Sequence, residues 1–253
     1  MHIDVQGNGP DLVLIHGWAM HGGIFAPLLE PLVPRFRVHV VDLPGHGYAC
    51  KETGFDVADC ARRIAAETPR ALWVGWSLGG AVALRAALQH AGHVRGVAMI
   101  ASSPRFVAAP DWPYGVPMEV FTAFGTDLEA RYRDAIERFL ALETMGAPNA
   151  QAELRDLKRQ VFERGEPSIT ALQDGLRALE TEDLREDLAR LSMPSLWIAG
   201  RRDRLVAPGA MQWAAQHAPG GRFLELNSGH APFVGHAEAV AAAIAAFEAE
   251  LPA

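Results

Sequence analysis

The sequence predicts an α/β layer fold, with a mostly parallel central sheet and helices on both faces. Three observations predict it. Short apolar runs rich in β-branched residues recur along the chain, and most lack polar alternation, as strands covered on both faces require. Stretches with helical spacing separate them, the rhythm of β-α crossovers. One long segment breaks that rhythm with helices alone.

Taken in order, the strands are DLVLIH at 11–16, FRVHVVD at 36–42, ALWVGW at 71–76, VRGVAMIA at 94–101, PSLWIAG at 194–200 and RFLELN at 222–227. The runs 58–67, 78–89 and 209–217 read as crossover helices, and 237–250 as a closing one. From Pro104 to about Leu191 no convincing strand is present, although a crossover needs only a short connection and one helix. That segment instead carries helical spacing at 116–124, 128–145, 150–163 and 168–179, punctuated by Pro113, Gly146-Ala147-Pro148 and Gly165-Glu166-Pro167. The division that follows is a core from 1–104 and 192–253 and a helical cap from 105–191. The cap is expected over the C-terminal edge of the sheet, where open α/β sheets bind ligands.

Composition narrows the function classes. A chain of 253 residues, 49% apolar and 21% charged, can bury a sizeable core. Its net charge of -7 argues against nucleic acid, whose phosphates call for a basic surface. No apolar run approaches the ~20 residues of a membrane span, and no signal peptide is visible at the N-terminus. Cys50 and Cys60 fit neither a disulfide framework nor metal-ligand spacing, as expected in a reducing cytosol, and read as ordinary thiols. A cytoplasmic location is the expectation; a monomer is the expected form, on no residue pattern of its own.

The chemistry is concentrated at Gly75-Trp76-Ser77-Leu78-Gly79, a G-x-S-x-G sequence with a strand before it and a helix after it. A serine hydroxyl is a weak nucleophile, so the turn must thrust it toward a base; the strain costs on the order of 1–3 kcal/mol. The base and its orienting acid are expected in the chain order serine, acid, histidine. Asp203 lies in the loop after the strand at 194–200, and His230 in the loop after the strand at 222–227. Both positions are at the same sheet edge as Ser77.

Rivals are weaker on placement. Asp42 precedes the serine and opens Leu43-Pro44-Gly45-His46-Gly47, where a turn-forming aspartate is the expected role. Asp111 follows the strand before the insertion, but the strand end itself, Ala101-Ser102-Ser103, offers no carboxylate. His236 falls at the start of the last helix and reads as a capping or solvated residue. An oxyanion hole needs backbone N–H donors, expected from Leu78, after the nucleophile, and from Trp18 in the loop His16-Gly17-Trp18. His16 itself reads as a loop anchor.

These blocks resemble the α/β-hydrolase superfamily. With Val41 to Gly47, Ala101 to Pro104, the run ERFLALETMG at 137–146, Asp183-Leu184-Arg185 and His230 to Phe233, the chain resembles more narrowly the BioH carboxylesterases of biotin synthesis, which demethylate pimeloyl-acyl-carrier-protein methyl ester. The resemblance implies a triad of Ser77, Asp203 and His230, and substrate contacts from Trp18, Ser77, Leu78, His230 and the cap residues Phe139, Leu140, Ala141, Leu142 and Glu143. It implies an acyl ester substrate, presented on acyl-carrier protein, and no metal or organic cofactor.

Phe139, Leu142 and Met145 share helical spacing and either line an apolar tunnel for the acyl chain or form ordinary helix packing. Arg138, Arg155, Lys158 and Arg159 either meet an acidic carrier protein or form a solvated face with i,i+4 pairs. Two departures bear on substrate: Asp134 and Gln151 stand where the family carries arginines, and Glu143 where it carries a neutral amide. A carboxylate at 143 would repel an acidic ligand or simply face water. The reading is a serine carboxylesterase, active also on short-chain acyl esters; a lactonase, a C–C bond hydrolase and a hydrolase-derived ligand-binding protein are the alternatives.

Overall fold

The computed structural model describes residues 1–145, 147 and 149–252, apart from the side chain of Glu129. Gly146 and Pro148, two of the breaks expected in the insertion, lie outside the described residues, as does Ala253, at the end of the expected core.

Seven strands form one sheet: β1 (His2–Gln6), β2 (Asp11–Ile15), β3 (Arg37–Asp42), β4 (Ala71–Trp76), β5 (Val94–Ile100), β6 (Ser195–Gly200) and β7 (Gly221–Leu226). Their spatial order is β1-β3-β2-β4-β5-β6-β7. Only β1 is antiparallel, pairing His2 with Asp42 and Gln6 with Val38 of β3. The six strands expected from their apolar runs are present. β1 is an addition, and its reading HIDVQ, half-exposed with Asp4 and Gln6, shows why it lacks a buried-strand signature: it is an edge.

Burial follows position in the sheet. Every residue of β4 and β6 is buried, whereas edge strand β7 has no buried residue, with Arg222 and Glu225 exposed and the rest half-buried. Helices α1 (Ala26–Leu32), α2 (Val57–Glu67), α3 (Leu78–Gln89), α7 (Pro208–His217), α8 (Pro232–Gly235) and α9 (Ala237–Glu248) accompany the sheet. The alanine-rich α3 is buried along nearly its whole length, since small side chains let it lie close to the sheet.

The chain leaves β5 into the helical insertion and returns to β6. The insertion contains α4 (Met118–Thr144), α5 (Ala150–Gln160) and α6 (Ile169–Thr181). The two helices expected at 116–124 and 128–145 run together as α4, with the break falling instead at Arg131, whose φ of -155° and ψ of 67° interrupt the helix. Entry and exit of the insertion are tied together. Leu184 donates to Pro104 O at 2.8 Å, and Arg105 pairs with Asp183 at 2.5 Å. Arg185 and Arg105 together hold the Asp183 carboxyl down at about 2.

The sheet order places the site. β2 and β4 are neighbours, but the chain leaves β2 toward β3 on one side and leaves β4 toward β5 on the other. Such a reversal opens a crevice at the C-terminal ends of the two strands. The loop bearing Trp18 and the turn bearing Ser77 flank that crevice.

Candidate active site

Ser77 sits between β4 and α3 with φ 53° and ψ -121°, a left-handed conformation that a non-glycine residue adopts only under constraint. The constraint is visible. Ser77 N donates to Ile100 O at 3.0 Å, and Ser77 O accepts from Gly80 N at 2.9 Å and from the Ser102 hydroxyl at 2.8 Å. The first turn of α3 also presses on the end of β2, where a Cβ on Gly79 would lie 2.2 Å from Ile15 O. Only glycine permits that approach, so the G-x-S-x-G spacing is a packing requirement here.

Asp203 and His230 arrive from the loops after β6 and β7, the last two strands of the sheet. His230 Nδ1 is 2.7 Å from Asp203 Oδ2, and both side chains are removed from solvent. Asp203 Oδ1 is held in turn by the backbone N–H groups of Leu205 and Val206 at 2.8 and 3.0 Å. A carboxylate so fixed accepts the Nδ1 proton and leaves Nε2 as the lone-pair nitrogen. Nε2 is buried without a hydrogen-bond partner among the described residues. Burial alone would depress the imidazole pKa; the charge and hydrogen bond of Asp203, with a smaller contribution from Glu143, outweigh it, and the net shift is upward. The Trp76 indole N–H, one residue before the serine, donates to His230 O at 2.8 Å and ties the two loops together.

The N–H of Leu78 opens α3, and that of Trp18 follows β2; neither has an acceptor among the described residues. The Trp18 side chain reaches the insertion, donating to Leu172 O at 2.9 Å and packing edge-on against Phe139 with ring centroids 4.5 Å apart. Ser77, Leu78, Trp18 and His230 are all nearly or completely buried.

The rival residues have other work. Asp42 accepts from Gly22 N at 2.6 Å and Tyr48 N at 2.9 Å, shaping the turn it opens. The imidazole Nε2 of His16 accepts from Leu43 N at 3.0 Å, the anchor expected of it; burial and nearby His46 hold its pKa down at about 3. Asp111 is exposed and pairs with Arg185. His236 opens α9 at a partly exposed position. Cys60 is buried, and burial pushes its thiol up to about 12, away from reactivity. No group of three or more His, Cys, Asp or Glu side chains among the described residues is arranged to hold a metal. No described helix is long and apolar enough to cross a membrane.

Several expectations for the insertion need correction. Phe139 and Leu140 are buried, Leu142 is half-buried, but Met145 is 52% exposed and lines no tunnel. Six residues along a helix carry a side chain well round from its starting face, and the helix ends at Thr144. Glu143 does not face water: it is 1% exposed and neither carboxyl oxygen has a partner among the described residues. Its backbone carbonyl accepts from His230 N at 3.2 Å. Burial pushes its carboxyl up to about 8, against the pull of His230 and with the push of Asp203.

Of the four cations, Arg138 pairs with Asp127, Lys158 with Glu137 at 2.5 Å and Arg159 with Asp156 at 3.5 Å. None of these pairs has the i,i+4 spacing expected of a solvated helix face, and the Lys158 pair runs between α5 and α4. Arg155 is exposed with no carboxylate partner among the described residues.

Features that sequence reasoning missed join the insertion to the sheet edge. Arg164 reaches Asp42 at 3.3 Å and lies over the Tyr48 ring at 4.7 Å, while His21 Nε2 is 2.8 Å from Gln160 O. Ser168 N donates to Gly45 O at 2.7 Å. Each partner lies far away in the chain, so no local pattern announces it.

Comparison with known proteins places this geometry. The family model for the alpha/beta hydrolase fold matches residues 10–237. The chain is 54% identical to the pimeloyl-[acyl-carrier protein] methyl ester esterase of Xanthomonas campestris pv. campestris (strain B100), over 100% of both chains. It is also 54% identical to the protein of that name from Stenotrophomonas maltophilia (strain K279a), over 99% of this chain and 97% of the relative. Among solved structures, an esterase from Exiguobacterium antarcticum superposes with a TM-score of 0.86 at 21% identity, covering 97% of this chain and 94% of its own, a likeness of fold. The chain therefore belongs to the α/β hydrolase fold family and, within it, to the pimeloyl-[acyl-carrier protein] methyl ester esterases.

Proposed function

We propose that this protein hydrolyses the methyl ester of pimeloyl-acyl-carrier protein to the free acid and methanol, with Ser77 as nucleophile, His230 as base and Asp203 as the group that orients it. The observation that carries the reading is the state of His230. Its Nδ1 is committed to Asp203, its Nε2 is buried without a partner among the described residues, and it stands at the sheet edge where the strained Ser77 turn emerges.

Ser77 Oγ attacks the ester carbonyl carbon and passes its proton to Nε2. The negative charge that develops on the carbonyl oxygen is met by the N–H groups of Leu78 and Trp18, each such donor being worth roughly 2.7–4 kcal/mol in the transition state. Collapse breaks the C–O bond to the methoxy group, and His230 returns the proton to the departing methanol. Water, activated by the same imidazole, then cleaves the acyl-enzyme.

Residues 105–191 act as a cap over a core of 1–104 and 192–253. Trp18, Leu78 and the segment 139–143 contact the acyl chain, with Phe139 against Trp18 supplying apolar surface. Short-chain acyl esters are further substrates, since the reacting groups engage the ester end alone. Arg155 is free among the described cap residues to meet a carrier protein, whereas Arg138, Lys158 and Arg159 must first exchange their present partners. The two unpaired cysteines fit a cytoplasmic location. The biological test is rescue of a biotin-requiring strain that lacks its own demethylase. Growth with the wild type and none with Ser77→Ala is expected; growth with neither would leave only a general esterase.

A further inference from the structure

Glu143 has no part in the steps above, yet the fold takes it out of water and sets it beside the base. It lies one helical turn after Phe139 on α4, so the residue that packs on Trp18 and the residue that adjoins His230 share a face. Its two carboxyl oxygens are buried without donors among the described residues. The charged groups facing it are His230 from the loop after β7 and Asp203 from the loop after β6. A carboxylate in such a place, with no N–H or O–H to solvate it, is far less stable than a neutral carboxylic acid.

Ester hydrolysis changes the charge of the acyl terminus. The substrate's ester is neutral, whereas the product is an ordinary carboxylic acid, ionised at neutral pH, and puts a negative charge where none stood. A neutral carboxyl at 143 can donate a hydrogen bond to that product; an ionised one can only repel it.

We infer that Glu143 is a proton-dependent specificity residue, which admits the neutral ester in either state and holds the product carboxylate only while it is itself protonated. This rests on the esterase reading above. Burial places the Glu143 carboxyl at about 8, so the protonated fraction falls from about nine-tenths at pH 7 to about one-tenth at pH 9. The apparent affinity for a carboxylate falls with that fraction, about tenfold across the interval.

The test is inhibition of neutral nitrophenyl ester turnover by heptanoate at pH 7 and pH 9, in the wild type and in Glu143→Gln. His230 titrates in both proteins and Glu143 helps to raise it, so each Ki ratio is read beside the pH profile of ester turnover in the same protein. The ratio of Ki at pH 9 to Ki at pH 7 is expected to be about tenfold larger in the wild type; equal ratios in the two proteins would overturn the inference. The wild type alone supplies a second readout. The infrared C=O stretch of a buried protonated carboxyl is expected at pH 7 and lost by pH 9, and its absence at pH 7 would overturn the inference without the variant. Turnover that does not depend on Ser77 would overturn the esterase reading and this inference with it, whereas Ser77-dependent turnover with equal Ki ratios would overturn this inference alone.

Discussion

Asp203 Oδ2 lies 2.7 Å from His230 Nδ1 with both side chains fully withdrawn from solvent, and this contact decides which imidazole nitrogen carries the proton. Asp203→Asn keeps the shape but offers an amide that favours the wrong tautomer. The expected result is a fall in kcat of about 10⁴-fold. On the proposed mechanism His230 must be neutral to act, and Asp203 raises its pKa, so the acid limb of the wild-type kcat/KM profile is expected at higher pH than an ordinary imidazole would give. In Asp203→Asn the residual activity is expected to show a midpoint at lower pH. A full pH profile of both proteins checks the two claims together.

Glu143 ties stability to pH in a direction opposite to most carboxyls. Its pKa is about 8 folded and about 4.5 unfolded, so between those values the folded state binds more protons and stability falls as pH rises. The accumulated cost at pH 8 and above is on the order of 5 kcal/mol. Glu143→Gln removes the titration. Its melting temperature relative to wild type is expected to climb from pH 5 to pH 8 and then level off; a constant difference would contradict the assignment. His230, whose pKa is also raised, adds its own loss of stability as pH rises in both proteins.

Arg164 holds the insertion to the sheet edge through Asp42, which is buried and also accepts from two backbone N–H groups. Arg164→Ala leaves that carboxylate without its counter-charge. A loss of about 1–3 kcal/mol is expected in denaturant unfolding. Protease cleavage within 105–191 is expected to accelerate as well, because the insertion loses one of its anchors.

Gly45 has φ +78°, and a Cβ there would lie 2.2 Å from Ala171 Cβ on α6. Gly45→Ala therefore carries both backbone strain, about 1–2 kcal/mol, and a collision with the insertion. Gly54, at φ +81° with nothing within 4 Å of the added atom, is the control for strain alone. Thermal melting is expected to show a larger loss for Gly45→Ala than for Gly54→Ala.

The parallel strands were legible because each is a continuous apolar run, and the turn bearing Ser77 because glycines are the only residues that let β4, α3 and β2 approach so closely. That Asp203 and His230 meet at one sheet edge was legible from their places after two strand ends. β1 was not, since an edge strand half-exposed to water carries polar residues. The break in α4 at Arg131 has no proline or glycine to announce it. Glu143 was read as a carboxylate that repels an acidic ligand or faces water, because charge alone is visible in sequence; its burial depends on how α4 meets His230, a contact across 87 residues of chain. The same holds for Arg164 and Asp42.

The most direct measurement of the central claim is methanol release from purified pimeloyl-acyl-carrier-protein methyl ester, compared between the wild type and Ser77→Ala. The wild type is expected to release methanol in step with free acid, and Ser77→Ala to be slower by about 10⁴-fold or more. Methanol release by Ser77→Ala at the wild-type rate, or a wild type that cleaves small esters but leaves the carrier-bound methyl ester intact, would contradict it.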